Sequence, residues 1–143
     1  KFDKAPHFFI YYTHRLKKEI QMNDLEKRNV AETNAIELVE LVETLCADIT
    51  TAINNKWEHT IGNTTHDYSI GKKYIRVFSD NGSQRSVWGF INVGNDKFKV
   101  GDVLKASGWS QPALNSARGN LYDGYEIAKG YSTHRVHGPD YLI

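Results

Sequence analysis

With a single cysteine, Cys46, the chain cannot form an internal disulfide, and it suits a reducing compartment. No run of 18 apolar residues occurs, so no segment reads as a membrane span. The opening KFDKAPHFFIYYTHR has no small-residue cleavage site after its apolar run and does not read as a secretory signal. Neither sign of charge is in excess. The 18 Lys and Arg against 17 Asp and Glu leave a net charge of +1, far short of the basic balance of a dedicated duplex-DNA binder. Complete catalytic signatures are missing as well. No G-x-S-x-G elbow surrounds Ser107 or Ser110, and no G-x-x-x-x-G-K-[ST] phosphate loop occurs. His59-Thr60 and Thr133-His134 do not make the paired H-x-T of phosphodiesterases that use two histidines. There are no internal repeats and no low-complexity tracts. These absences point away from an enzyme and imply no cofactor.

What remains is enough for one domain, or a small domain with an appended helical segment: 143 residues, 40% hydrophobic and 12% aromatic. The charge is unevenly spread. Residues 1–60 hold 8 Lys and Arg against 10 Asp and Glu, whereas residues 61–143 hold 10 against 7. The C-terminal part is therefore the better candidate to meet an anionic partner.

Two helical patterns precede the sheet. Phe9, Tyr12, Leu16 and Ile20 keep helical spacing, and LKKEIQMNDLEK is rich in helix formers, which predicts a helix over about 11–28. HFFIYYTHR, aromatic on both faces, also suits a strand or a docked arm. Asn34 with Glu37 resembles a capping box that opens a second helix over about 35–56. Ala35, Leu38, Val39, Val42, Leu45, Cys46, Ile49 and Ile53 form its apolar stripe, with Glu37, Glu40, Glu43 and Asp48 on or beside the opposite side. Such a stripe exceeds what one small sheet is expected to cover. Residues 1–60 are therefore read as a helical segment with an oligomer contact at 35–54.

EHTIGNTTHD reads as a polar loop, and the period then switches to two. KKYIRVFSD (72–80), RSVWGFINV (85–93) and KFKVGDVLKA (97–106) read as three strands, the first two joined by the hairpin dipeptide Asn81-Gly82. YEIAKGY and DYLI could each add an edge strand. The expected class is α+β: helices first, then a small antiparallel β meander domain over 66–143 with a long structured loop.

That loop is the candidate binding surface. Between Lys105 and Asn120 it gathers Ser107, Trp109 and Arg118, and Trp88 stands on the second expected strand, 85–93. Lys105, Arg118 and Lys99 supply charge for phosphate, while Trp88, Trp109 and Tyr122 supply flat faces on which bases stack. Ser107 and Asn120 can bond a phosphate or a base edge. The bland reading competes at each position: Trp88 and Trp109 as sheet core, and Arg118 as a tie to loop carbonyls. Elsewhere the bland reading is preferred. His134 and His137 have metal-compatible spacing, with Asp140 within reach, but a segment carrying Gly138-Pro139 is no rigid helix, so no metal site is assigned. Cys46 sits inside an apolar stripe and reads as core.

KYIRV (73–77), SVWGFI (86–91), GDVLKASGW (101–109), ARGNLYD (117–123) and the closing GPDYL (138–142) together resemble a group of small uncharacterised proteins carried by tailed bacteriophages. The resemblance covers roughly residues 69–142. Many of those proteins have Lys where this chain has Ser110 or Leu114. It implies a viral origin and a setting in the infected cell or the virion, and it carries no mechanism. Two functions are therefore expected to compete. One is a non-enzymatic phage protein that binds a nucleotide or single-stranded nucleic acid through the 105–120 loop. The other is a virion or assembly component whose loop and aromatic arm (8–12) are protein contacts.

Overall fold

A computed structural model describes the backbone of residues 24–56, 64–127 and 135–142, with helical side chains described from 32 to 55. The aromatic arm at 8–12 and the first part of the helix expected at 11–28 lie outside the described residues. So do Trp57, His59 and His134.

Helix α1 runs without a break from Asp24 to Lys56, 33 residues, or about 50 Å at 1.5 Å per residue. The expected division near residues 29–34 is corrected here. That stretch holds neither Gly nor Pro, so propagation at one hydrogen bond per residue carries the helix through it. Asn34 is consequently a buried residue of the helix interior rather than its cap. The stripe is as the spacing predicts: Ala35, Leu38, Val39, Val42, Leu45, Cys46, Ile49 and Ile53 are all buried. They are buried within one chain, in a single cluster with Tyr68, Ile75, Val77, Trp88, Ile91, Val93 and Val103. Glu32, Glu37, Glu40 and Asp48 point outward. Among the described residues, no helix is long and apolar enough to cross a membrane.

Four antiparallel strands follow in meander order: β1 (Thr65–Ile70), β2 (Tyr74–Asp80), β3 (Arg85–Asn92) and β4 (Val103–Leu104). The α+β class is as expected, with two corrections. Strand β1 arises in the stretch read as polar loop, because THDYSI has no apolar alternation to announce it. The strand expected over 97–106 shrinks to two residues, since residues 93–101 are coiled into a loop. The stretches 125–127 and 140–142 form no strand. On β2, Ile75 and Val77 face the helix, while Arg76 and Phe78 face the opposite side, where the 105–116 loop lies. A bulge opposite Val77 and Phe78 gives Trp88 no partner in register and keeps it on the helix side of β3.

Two polar contacts seat α1 on β1. Tyr68 donates from its hydroxyl to Glu43 at 3.0 Å. The Thr50 hydroxyl accepts the His66 backbone N–H at 2.9 Å and stands 3.0 Å from Nδ1, to which it can donate. Burial holds the His66 ring neutral, its pKa lowered to about 4. The sign of the linkage follows. Between about pH 6.5 and 4 the unfolded chain takes up a proton that the folded chain refuses, so stability falls as pH falls through that window. With solvent screening of a ring that is only partly buried, the loss is about 2 kcal/mol. Urea midpoints at pH 7 and pH 4.5 check it: wild type should lose that much more than His66→Gln, and equal losses would refute the assignment.

Candidate functional site

The long loop rests on a buried amide that sequence reading did not single out. Asn92, at the end of β3, donates from Nδ2 to the carbonyls of Asn95, Phe98 and Lys99, and its Oδ1 accepts the Asn95 N–H. Asp102 continues the network, accepting from the Lys99 N–H at 2.9 Å and from Asn120 Nδ2 at 2.9 Å. Asn120 in turn caps the 3-10 turn Leu121–Asp123 through the Tyr122 N–H at 2.7 Å. Gly101 passes this crowded point with φ of +89°, where a Cβ would lie 2.7 Å from the Tyr122 ring. Asn120 is thus a turn former. A lone Asn at a strand end, before a loop of Gly, Asn and Lys, is the only sequence signal for Asn92.

Three more candidates converge on the closing segment. Trp88, 3% exposed, donates Nε1–H to the Arg135 carbonyl at 2.7 Å. Lys105 donates to the Pro139 carbonyl at 2.7 Å and lies 3.8 Å from the centre of the Tyr141 ring. Burial, with Arg118 nearby, lowers its pKa, which Asp140 partly offsets. Arg118 donates to the carbonyls of Ser116 and Asp140 and to Asn115 Oδ1, at 2.7–2.9 Å. Arg135 completes the clasp on the Asp140 carboxylate at 2.9 Å. The motifs GDVLKASGW, ARGN and GPDYL are therefore one assembly. Trp88, Lys105 and Arg118 hold residues 135–141, and the Trp88 indole is buried, with Tyr125 edge-on at 6.3 Å.

Trp109 and Ser107 have a different setting. Residues 105–113 form a narrow ribbon: Ala113 N–H donates to Lys105 O at 2.7 Å and Ser107 N–H to Gln111 O at 2.9 Å. The Ser107 hydroxyl closes it by donating to Gln111 O at 3.0 Å. Trp109 stands at the ribbon tip, 41% exposed. The Arg76 guanidinium lies 4.7 Å from the centre of its ring while Nε donates to the Trp109 carbonyl at 2.8 Å. Phe78 meets the same ring at 5.6 Å. The ring is held, yet open to solvent.

Among the described residues, two clefts adjoin the loop. The larger, about 550 Å³, is lined by Lys99, Asp102, Arg118, Asn120, Tyr125 and Arg135 among others. Its charges are mixed, and both arginines are committed to the clasp. Burial pushes the Tyr125 hydroxyl up to about 12. The smaller, about 400 Å³, runs from the β1–β2 turn to Ser110 and is lined by Lys72, Lys73, Arg76, Tyr74 and Phe90, with no acidic residue. This basic groove was not anticipated, because Lys72-Lys73 reads as an ordinary solvated strand entry. Chemically, the region can hold an anion and stack a flat ring. The serines of the ribbon are Ser107 and Ser110, Ser69 lines the smaller cleft, and among the described residues no histidine lines either cleft. Among the described residues, no three His, Cys, Asp or Glu side chains gather as a metal site would need. Asp140 is taken by Arg135, and Cys46 is buried in the helical stripe.

No matching curated protein and no matching solved structure was found. A family model does match, over residues 12–138, which takes in the helix, the sheet, the ribbon and most of the clasp. The chain belongs to that family, described as a family of unknown function (DUF7717).

Proposed function

We propose that the chain is a non-enzymatic phage protein that binds a nucleotide or single-stranded nucleic acid through the 105–120 loop, with Trp109 as the stacking residue. The observation that carries this reading is the exposed Trp109 ring, clamped by Arg76 and Phe78 at the tip of a hydrogen-bonded ribbon. A ring already fixed in place loses little freedom when a base lies on it, and such stacking contributes roughly 1–3 kcal/mol per base. Lys105, Arg118, Asn120 and Trp88 support the reading indirectly, by building the loop.

Calorimetric titration of a mono-, di- and cyclic nucleotide panel and a short single strand tests it. Trp109→Ala should weaken binding by roughly ten- to a hundredfold, Trp109→Phe much less, and both should melt close to wild type. A flat wild-type response across the panel would sink the reading.

That result would favour a second reading, a virion or assembly component. Its support is the set of exposed apolar side chains in the same half of the chain: Trp109, Leu114, Leu142 and Tyr141, the last 79% exposed. A homo-oligomer through the helix at 35–54 has less behind it. The apolar stripe is already buried, and the exposed charged residues of the helix between 32 and 55 are Glu32, Glu37, Glu40 and Asp48, all acidic.

A further inference from the structure

We infer that the basic groove between the β1–β2 turn and Ser110 is a phosphate-chain site, and that the ligand it serves with Trp109 is a nucleoside di- or triphosphate. This rests on the nucleotide reading above and specifies which nucleotide and which residues.

Lys72 and Lys73 sit on a pinned turn. Gly71 N–H donates to Tyr74 O at 2.9 Å, and the Lys73 carbonyl accepts from both Val93 and Gly94, at 2.8 and 3.0 Å. Both lysines are exposed, and neither ammonium has a partner among the described residues. Arg76 joins the groove to the stacking ring: it lines the groove and lies on Trp109. Its NH1 also donates to Ser69 Oγ, another lining residue, at 3.2 Å. Three cations without an acidic residue in the lining make a site selective for a multiply charged anion.

The length of the ligand follows from the strand. Tyr74 opens β2 and Arg76 lies two residues along it, roughly 7 Å at ~3.3 Å per residue, with Lys72 and Lys73 on the turn beyond Tyr74. A base on Trp109 and a charge at Lys72-Lys73 are joined by a chain of phosphates, not by a single one. A long strand is disfavoured by what lies beyond the ring. Asp67 pairs in register with Phe78, and Asp80 farther along β2 is bound by Arg85, whose guanidinium lies 5.0 Å from the Phe78 ring, so the charges there are mixed and the basic track does not continue.

The test uses the whole chain, isothermal calorimetry, and four probes: adenosine monophosphate, adenosine triphosphate, inorganic pyrophosphate and a ten-nucleotide thymidine strand. The triphosphate should bind at least tenfold tighter than the monophosphate, and pyrophosphate should displace it. Lys72→Ala with Lys73→Ala should weaken the triphosphate by roughly ten- to a hundredfold while leaving the monophosphate within a fewfold and the melting temperature unchanged. Equal binding of mono- and triphosphate overturns the inference, as does a double variant that binds triphosphate like wild type, or a strand that binds tighter than the triphosphate. If Trp109→Ala abolishes nucleotide binding while the lysine variant does not, the groove falls and the loop reading stands. If no probe binds wild type, both fall.

Discussion

Leu38→Glu is expected to leave a chain that does not fold, rather than a folded monomer released from an oligomer. Leu38 is 0% exposed and packs in the cluster that joins α1 to the sheet. Truncating a buried leucine costs about 2–5 kcal/mol, and a carboxylate placed there has no partner to offset its desolvation. The sum is on the order of the whole stability of a domain this size, about 5–15 kcal/mol. Circular dichroism with sedimentation velocity decides the matter. Loss of the helical signal is the expected result, with Thr44→Glu, on the exposed side of the same helix, unchanged. A folded Leu38→Glu chain that merely sediments more slowly than wild type would mean that the stripe faces a second subunit.

The second large effect is at Trp88. Trp88→Ala removes a buried indole, which costs about 3–5 kcal/mol, and leaves the Arg135 carbonyl without its 2.7 Å donor. A fall of about 15 °C in Tm follows. Trp88→Phe keeps most of the packing and loses the donor, so it should cost about 1–2 kcal/mol. Because the indole is enclosed, neither change should alter the intrinsic affinity of molecules that remain folded at low temperature. If Trp88→Phe lowers nucleotide affinity tenfold with Tm intact, Trp88 belongs to the binding surface after all.

The elements legible in the sequence were those whose burial is one-sided. The stripe from Ala35 to Ile53 repeats at 3.6 because one side of the helix meets the sheet. Ile75 and Val77 alternate with Arg76 and Phe78 because the two sides of β2 meet different layers. Strand β1 was hidden because its inward residues His66 and Tyr68 are held by hydrogen bonds to Thr50 and Glu43, so no apolar pattern is needed. Within the loop, the concentration of cations and aromatics was visible but their duties were not. Arg118 and Lys105 look identical in sequence whether they await a phosphate or bond a carbonyl, and two of the carbonyls they bond, those of Asp140 and Pro139, lie far along the chain. The groove was missed for a related reason. Lys72 and Lys73 acquire neighbours only when β1 and the ribbon tip are brought beside β2.

The clasp on the closing segment also sets an order of events during synthesis. Trp88, Lys105 and Arg118 bond carbonyls that lie 47, 34 and 22 residues downstream. As the chain leaves the ribosome, α1 and the β2–β3 hairpin can form from residues already present. Arg76 and Phe78 already hold the ribbon tip that carries Trp109, but Lys105 and Arg118 at its base lack their partners until residues 135–140 have emerged. These closures need the last residues of the chain, so they belong to the end of folding. A nascent chain short of residues 135–140 therefore lacks both Val136 of the core and the contacts that fix the base of its candidate recognition surface.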